Sequence, residues 1–147
     1  MADRQALIDW PLTPYTGWGG YGIQLAQALL EQNLYCPRLL ACNDRSSFCD
    51  LHWLDALQHL ENQSATLAQK LAAAEGAGTL PVITDAALGF SPLGNFVPAP
   101  RFTASKHVGV TFFECSRFSQ KDLEILNKFD LVISGSRWNQ ALLKRQG

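Results

Sequence analysis

The chain has little charge. Only 17% of its 147 residues are Asp, Glu, Lys or Arg, against roughly 25% in ordinary soluble domains, and a surface so short of charge points to a face covered by a partner. The signs nearly balance, with a net charge of −1 at pH 7. There is therefore no basic field of the kind that binds nucleic acid, and no basic stripe alternates with aromatic residues. No apolar run approaches the roughly 18 residues of a membrane span, and the stretch after Met1-Ala2-Asp3-Arg4 is too short for a secretory signal. These absences set nucleic acid and a transmembrane segment aside and leave a cytoplasmic protein as the expectation.

Metal-binding patterns are equally sparse. Cys36, Cys42, Cys49 and Cys115 contain no Cys-x-x-Cys pair, which excludes a zinc ribbon or a thioredoxin-type redox site. Cys49 with His52, and His59 seven residues on, make only a weak ligand pattern. The cysteines are read as small buried apolar residues, and no metal site is expected. His107 opens an apolar run and is expected to be packed or hydrogen-bonded there.

At 147 residues the chain has the length of a single domain with a core of its own. Hydrophobic periodicity divides it into alternating strands and helices. Strands are expected at Ala6–Trp10, Tyr35–Cys42, Leu80–Thr84, Val108–Phe113 and Leu131–Ile133. Helices are expected at Tyr21–Gln32, at Asp50–Ala74 in two pieces broken at Asn62-Gln63-Ser64, from a capping box at Ser119-Gln120-Lys121-Asp122 to Lys128, and from a Ser136 cap over Arg137–Arg145. That order implies an α/β fold with a doubly wound, mostly parallel sheet. The connection from Gly89 to Lys106, with Pro92, Gly94, Pro98 and Pro100, is longer than a linker needs and reads as a mobile flap or as disorder.

Ligands of such sheets lie outside the carboxyl ends of the strands. On the expected boundaries those ends carry the Gly17 to Gly22 run, Asn43-Asp44, Asp85, Glu114 to Arg117, and Ser134 to Ser136. The run Gly17-Trp18-Gly19-Gly20-Tyr21-Gly22 between a strand and a helix has two readings. It can bring backbone N–H groups and the positive end of a helix to a phosphate, or it can serve only as a turn with close helix–strand packing. Gly17-x-Gly19-x-x-Gly22 also satisfies the dinucleotide fingerprint, with Asp44 where a ribose-binding acid would sit. Residues Pro11 to Thr16, however, separate these glycines from the strand, whereas the fingerprint follows its strand directly.

The first strand, the loop Tyr15-Thr16-Gly17-Trp18-Gly19-Gly20-Tyr21-Gly22 and the following helix resemble the N-terminal Rossmann-like domain of GT-B glycosyltransferases, especially glycosyltransferase family 4. Val110 to Phe118, with its aromatic-Glu pair Phe113-Glu114, and Asn127 to Asn139, with an Asp, an apolar strand and a serine-capped helix bearing Trp138-Asn139, are similar to the same family. The resemblance implies a retaining, metal-independent sugar transfer from a nucleotide-sugar, which is a substrate, with no cofactor. It places Gly17, Gly19 and Gly20 near the donor's diphosphate or sugar, and Glu114, Arg117, Asp85 and Ser136 on the acceptor rim of the cleft. Glu114 and Arg117 can equally form a rim ion pair that orders the loop, and Ser136 can be a helix cap. The family histidine at the end of the fourth strand has no counterpart in Phe112-Phe113-Glu114. The donor-binding domain that the family carries after this region is an expected partner, without which the domain is catalytically incomplete. The alternatives are an NAD(P)-binding oxidoreductase fragment and a non-catalytic glycan- or protein-binding domain.

Overall fold

The computed structural model describes residues 4–41, 43, 51–95, 97–112 and 117–146. Among them, five strands form one all-parallel sheet: β1 (Gln5–Ile8), β2 (Cys36–Leu39), β3 (Leu88–Leu93), β4 (Lys106–Thr111) and β5 (Leu131–Ser134), in the order β2-β1-β3-β4-β5. Helices α1 (Gly17–Gln32), α2 (Leu51–Gly76), α3 (Gln120–Leu126) and α4 (Arg137–Gln146) pack around it. The doubly wound α/β class is as expected. No described helix is long and apolar enough to cross a membrane.

The burial of β1 explains the layering. Ala6, Leu7 and Ile8 are all fully buried. The pleat sends Ala6 and Ile8 to a cluster with Ala26 of α1, Phe90, Val108 and Val110, and Leu7 to a second cluster with Leu40, Leu71 of α2 and Phe102. A parallel strand covered on both faces must be apolar on both, and each such Leu or Ile contributes about 1.5–3 kcal/mol by leaving water.

Two elements differ from the sequence expectation. Helix α2 is continuous from Leu51 to Gly76, because Ser64 does not act as a stop. Its hydroxyl donates to Leu60 O one turn back (2.6 Å) and accepts the N–H of Leu39 in β2 (2.8 Å). The residue expected to cap a second helix instead satisfies the edge strand from inside one helix.

The second difference concerns the centre of the sheet. No strand forms at Leu80–Thr84, which makes only an isolated bridge from Val82 to Phe102. The central strand is β3, inside what reads as a long flap. Its proline is tolerated because alternate residues of a strand face the same neighbour. Phe90 O accepts the Asp9 N–H, so Pro92 faces the β1 side beyond Ile8, the last residue of β1, and its missing N–H breaks no ladder bond. Of the remainder, residues 97–105 form a strap laid on the sheet. Phe102 is 1% exposed and occupies the place a side chain on Gly89 would need, since a Cβ there would lie 2.4 Å from its ring. Backbone bonds from Val82 N to Arg101 O and from Thr103 N to Val82 O hold the strap to the segment before β3.

Candidate functional site

The chain leaves β1 outward to β2 and then returns past β1 to β3, so the direction of winding reverses between β1 and β3. In open parallel sheets the ligand crevice lies at the carboxyl ends of the strands at that reversal. The segment that follows β1 there is held firmly. Leu12 is fully buried, and its N–H donates to Asn43 Oδ1 (2.6 Å), whose amide donates to Glu61 Oε1 of α2 (2.9 Å). The Trp10 Nε1–H donates to Trp18 O (3.0 Å), which ties the strand end to the first turn of α1.

Helix α1 begins at Gly17, four residues before the expected Tyr21, because Thr16 caps it. The Thr16 Oγ1 accepts the Gly19 N–H (3.0 Å), and the Thr16 carbonyl accepts that of Gly20 (2.9 Å). The N–H groups of Gly17 and Trp18 have no acceptor among the described residues. No acidic residue lies in that turn to offset the positive end of the helix.

The glycines divide between the two readings. A Cβ on Gly19 would lie 2.1 Å from the Thr13 carbonyl oxygen, and one on Gly22 would lie 2.5 Å from Trp10 Nε1; Gly17 and Gly20 meet nothing within 4 Å. Gly19 and Gly22 are therefore required by packing, and Gly17 and Gly20 leave open backbone. Gly19, expected beside a phosphate, instead spends its N–H on the cap and its vacant side on Thr13. Of the three expected donor contacts, Gly17 alone keeps an unpaired N–H.

Trp18 packs edge-on against Trp10 (5.8 Å between ring centroids) and Phe112 (4.7 Å), and Tyr21 against Phe112 (5.6 Å). Between this aromatic wall and the end of β3 lies a cleft of about 390 Å³ lined by Trp10, Pro11, Thr16, Trp18, Pro92, Gly94 and Pro98. Its size is that of a small-molecule site. No family model, curated protein or solved structure matches the chain.

Two of the other expected site residues, Asp85 and Ser136, line other depressions. Asp85 precedes β3 at the amino edge of the sheet, in a separate depression with Gln5, Arg38 and Lys70, because the strand it was expected to end is not formed. Ser136 is the cap of α4: its Oγ accepts the Asn139 N–H (3.0 Å) and donates to Asn139 Oδ1 (2.8 Å). Arg117 is exposed just before α3. Asp44 and Glu114 lie outside the described residues, as do Cys42, Cys49 and Cys115. Cys36 is a half-buried free thiol. His107 is structural, accepting the Ala104 N–H at Nε2 (3.1 Å) and stacking on Phe102, and burial lowers its pKa. Among the described residues no group of His, Cys, Asp and Glu is placed to hold a metal ion.

Sequence reasoning missed the walls of the cleft and a buried polar cluster behind it. Asp9, immediately after β1, has its side chain 4% exposed, with Oδ1 3.6 Å from Arg101 Nη1; Arg101 Nη2 lies 3.5 Å from Glu75 Oε2. Burial raises the Asp9 pKa from 3.8 to about 6, opposed by Arg101 and reinforced by Glu75. Among the described residues, Asp9 Oδ1, Ser91 Oγ and Arg101 Nε are buried without a hydrogen-bond partner. The available signal was an acid placed directly after an apolar strand, Ala6-Leu7-Ile8-Asp9.

Proposed function

We propose that this chain is the acceptor-side Rossmann-like domain of a GT-B glycosyltransferase, working with a second, donor-binding domain in a metal-independent, retaining sugar transfer. The observation that carries the reading is the start of α1. Two N–H groups without acceptors among the described residues, those of Gly17 and Trp18, stand at the positive end of a 16-residue helix beside a cleft at the reversal point of the sheet. As the bond from the sugar to the nucleoside diphosphate breaks, negative charge grows on the departing phosphate. N–H dipoles already oriented toward it stabilise that charge without reorganising. Gly17 and Gly20 leave the backbone open to such a group, and Gly19 and Gly22 fix α1 against the Trp10–Thr13 segment so that the dipoles stay aimed. On this reading Glu114, assigned from the resemblance, meets acceptor hydroxyls on the rim, and Arg117 pairs with Glu114 or with an anionic group.

The test is Gly17→Asp in the complete natural polypeptide that carries this domain. A carboxylate in the first turn favours the helix but repels a diphosphate, and the position has open space around it. Release of nucleoside diphosphate from a panel of UDP-, GDP- and ADP-sugars should fall at least about tenfold, a loss of about 1.4 kcal/mol of transition-state stabilisation, with thermal stability unchanged or raised. Release unaffected by Gly17→Asp defeats the reading. Binding of NAD to the 147-residue chain with a Kd near 1 μM, about 8 kcal/mol, lost on Asp44→Ala, replaces it with the dinucleotide alternative.

A further inference from the structure

The lining of the cleft restricts what fits in it. Among the described residues no charged side chain contributes to it, and five of its seven lining residues are tryptophan or proline. The polar side-chain atoms of its wall are largely engaged: Trp10 Nε1 by the Trp18 carbonyl, and Thr16 Oγ1 as acceptor of the Gly19 N–H, which leaves the Thr16 O–H as the one side-chain donor without an acceptor among the described lining residues. A bare sugar presents hydroxyls around its whole rim, and each one buried without a partner costs about 1–3 kcal/mol. The described walls offer such a rim almost nothing. A flat apolar ring loses nothing there and gains contact with Trp18 and the prolines.

Charge complementarity orients the occupant. The electrostatic feature of the described walls is the positive end of α1, where the Gly17 and Trp18 N–H groups have no acceptor among the described residues and no acid lies in the first turn. An oxygen attached to the ring is favoured at that end, with the ring body directed toward Pro92 and Pro98.

We propose that the cleft binds the aromatic or alicyclic ring of an acceptor, with its ring oxygen substituent toward the start of α1, so that the acceptor is an aryl or alicyclic alcohol or its glycoside and not a plain saccharide. This assignment rests on the transferase reading for the word acceptor; the binding of the ring does not require it.

The experiment is a fluorescence titration of the 147-residue chain, in which Trp10 and Trp18 line the cleft, with phenyl β-D-glucopyranoside and with methyl β-D-glucopyranoside. The phenyl compound is expected to change the emission saturably and to bind at least tenfold more tightly than the methyl compound. Gly94→Leu fills the cleft from a position where a Cβ meets nothing within 4 Å; it should weaken phenyl binding at least tenfold. Gly76→Leu, also in open space but at the end of α2, should leave binding unchanged. Equal affinity for the two glycosides, no binding of either, or phenyl binding insensitive to Gly94→Leu each overturns the proposal. The two readings fail separately. Aryl binding lost in Gly94→Leu upholds the cleft assignment even if no nucleotide-sugar is consumed. Nucleoside diphosphate release with no aryl binding overturns the cleft assignment and leaves the transferase reading in place.

Discussion

Asp9 sits where the fold has little room for a charge. Because burial lifts its pKa to about 6 from 3.8, the folded chain holds a proton that the unfolded chain has already released between those values. Stability therefore falls as pH rises through that window; the penalty is fully present above about pH 6 and absent below about pH 4. At about 1.36 kcal/mol per pKa unit the penalty is about 3 kcal/mol. Asp9→Asn, a neutral isostere, should be more stable than the parent by about that amount near neutral pH, and equal to it near pH 4. Urea denaturation at the two pH values checks this, and a difference independent of pH contradicts it. A second residue-scale prediction separates the glycines. Gly19→Ala drives a methyl group into the Thr13 backbone and should cost about 1–3 kcal/mol. Gly20→Ala enters open space in a helix and should stabilise by about 0.5–1 kcal/mol. Thermal denaturation of the pair shows whether packing or the ligand dictates each position. The sequence marked the run as special, but one glycine looks like another until Thr13 and Trp10 are placed beside them.

At the scale of elements, what could be read in advance was local. The Ser119–Asp122 capping box is present in full: Asp122 N–H donates to Ser119 Oγ and Ser119 N–H donates to Asp122 Oδ2. Both partners lie within one turn, so spacing alone reveals them. The stop of α1 is equally local, with Asn33 in the left-handed region at φ 50 and its N–H on Leu30 O. Ser64 is the contrary case, because the acceptor role that keeps α2 unbroken belongs to a strand 25 residues away. Ser64→Ala should leave the Leu39 N–H buried without an acceptor and cost about 1–3 kcal/mol, although alanine is the better helix former. A urea midpoint that rises on this substitution shows that the bond to β2 does not matter. The boundary of β3 was missed for a related reason. Gly89 and Pro92 are poor strand formers by propensity, and only Phe102 on one side and the end of β1 on the other make them acceptable.

For the whole molecule, the order β2-β1-β3-β4-β5 puts β3 at the centre and β2 and β5 on the edges. Amides of the inner ladders, such as the Asp9 N–H on Phe90 O and the Phe112 N–H on Leu93 O, should exchange only on global unfolding, while β5, whose Leu131 is 55% exposed, opens earlier. Hydrogen exchange resolved by residue tests this ranking, and equal protection across the five strands refutes it. The sequence by itself determined the α/β class, the alternation of elements, four of the five strands and the caps of the last two helices, because hydrophobic period and capping chemistry act over a few residues. It also drew attention to the start of α1. Only the tertiary structure decided that β3 takes the centre, that Asp85 falls on the opposite edge, that Gly19 belongs to packing, and that two tryptophans and two prolines, from segments more than 70 residues apart in the chain, face one another across a cleft. Each of those depends on which strands lie side by side, and pairing over such distances leaves no local trace because its partners are set by the burial of the whole sheet.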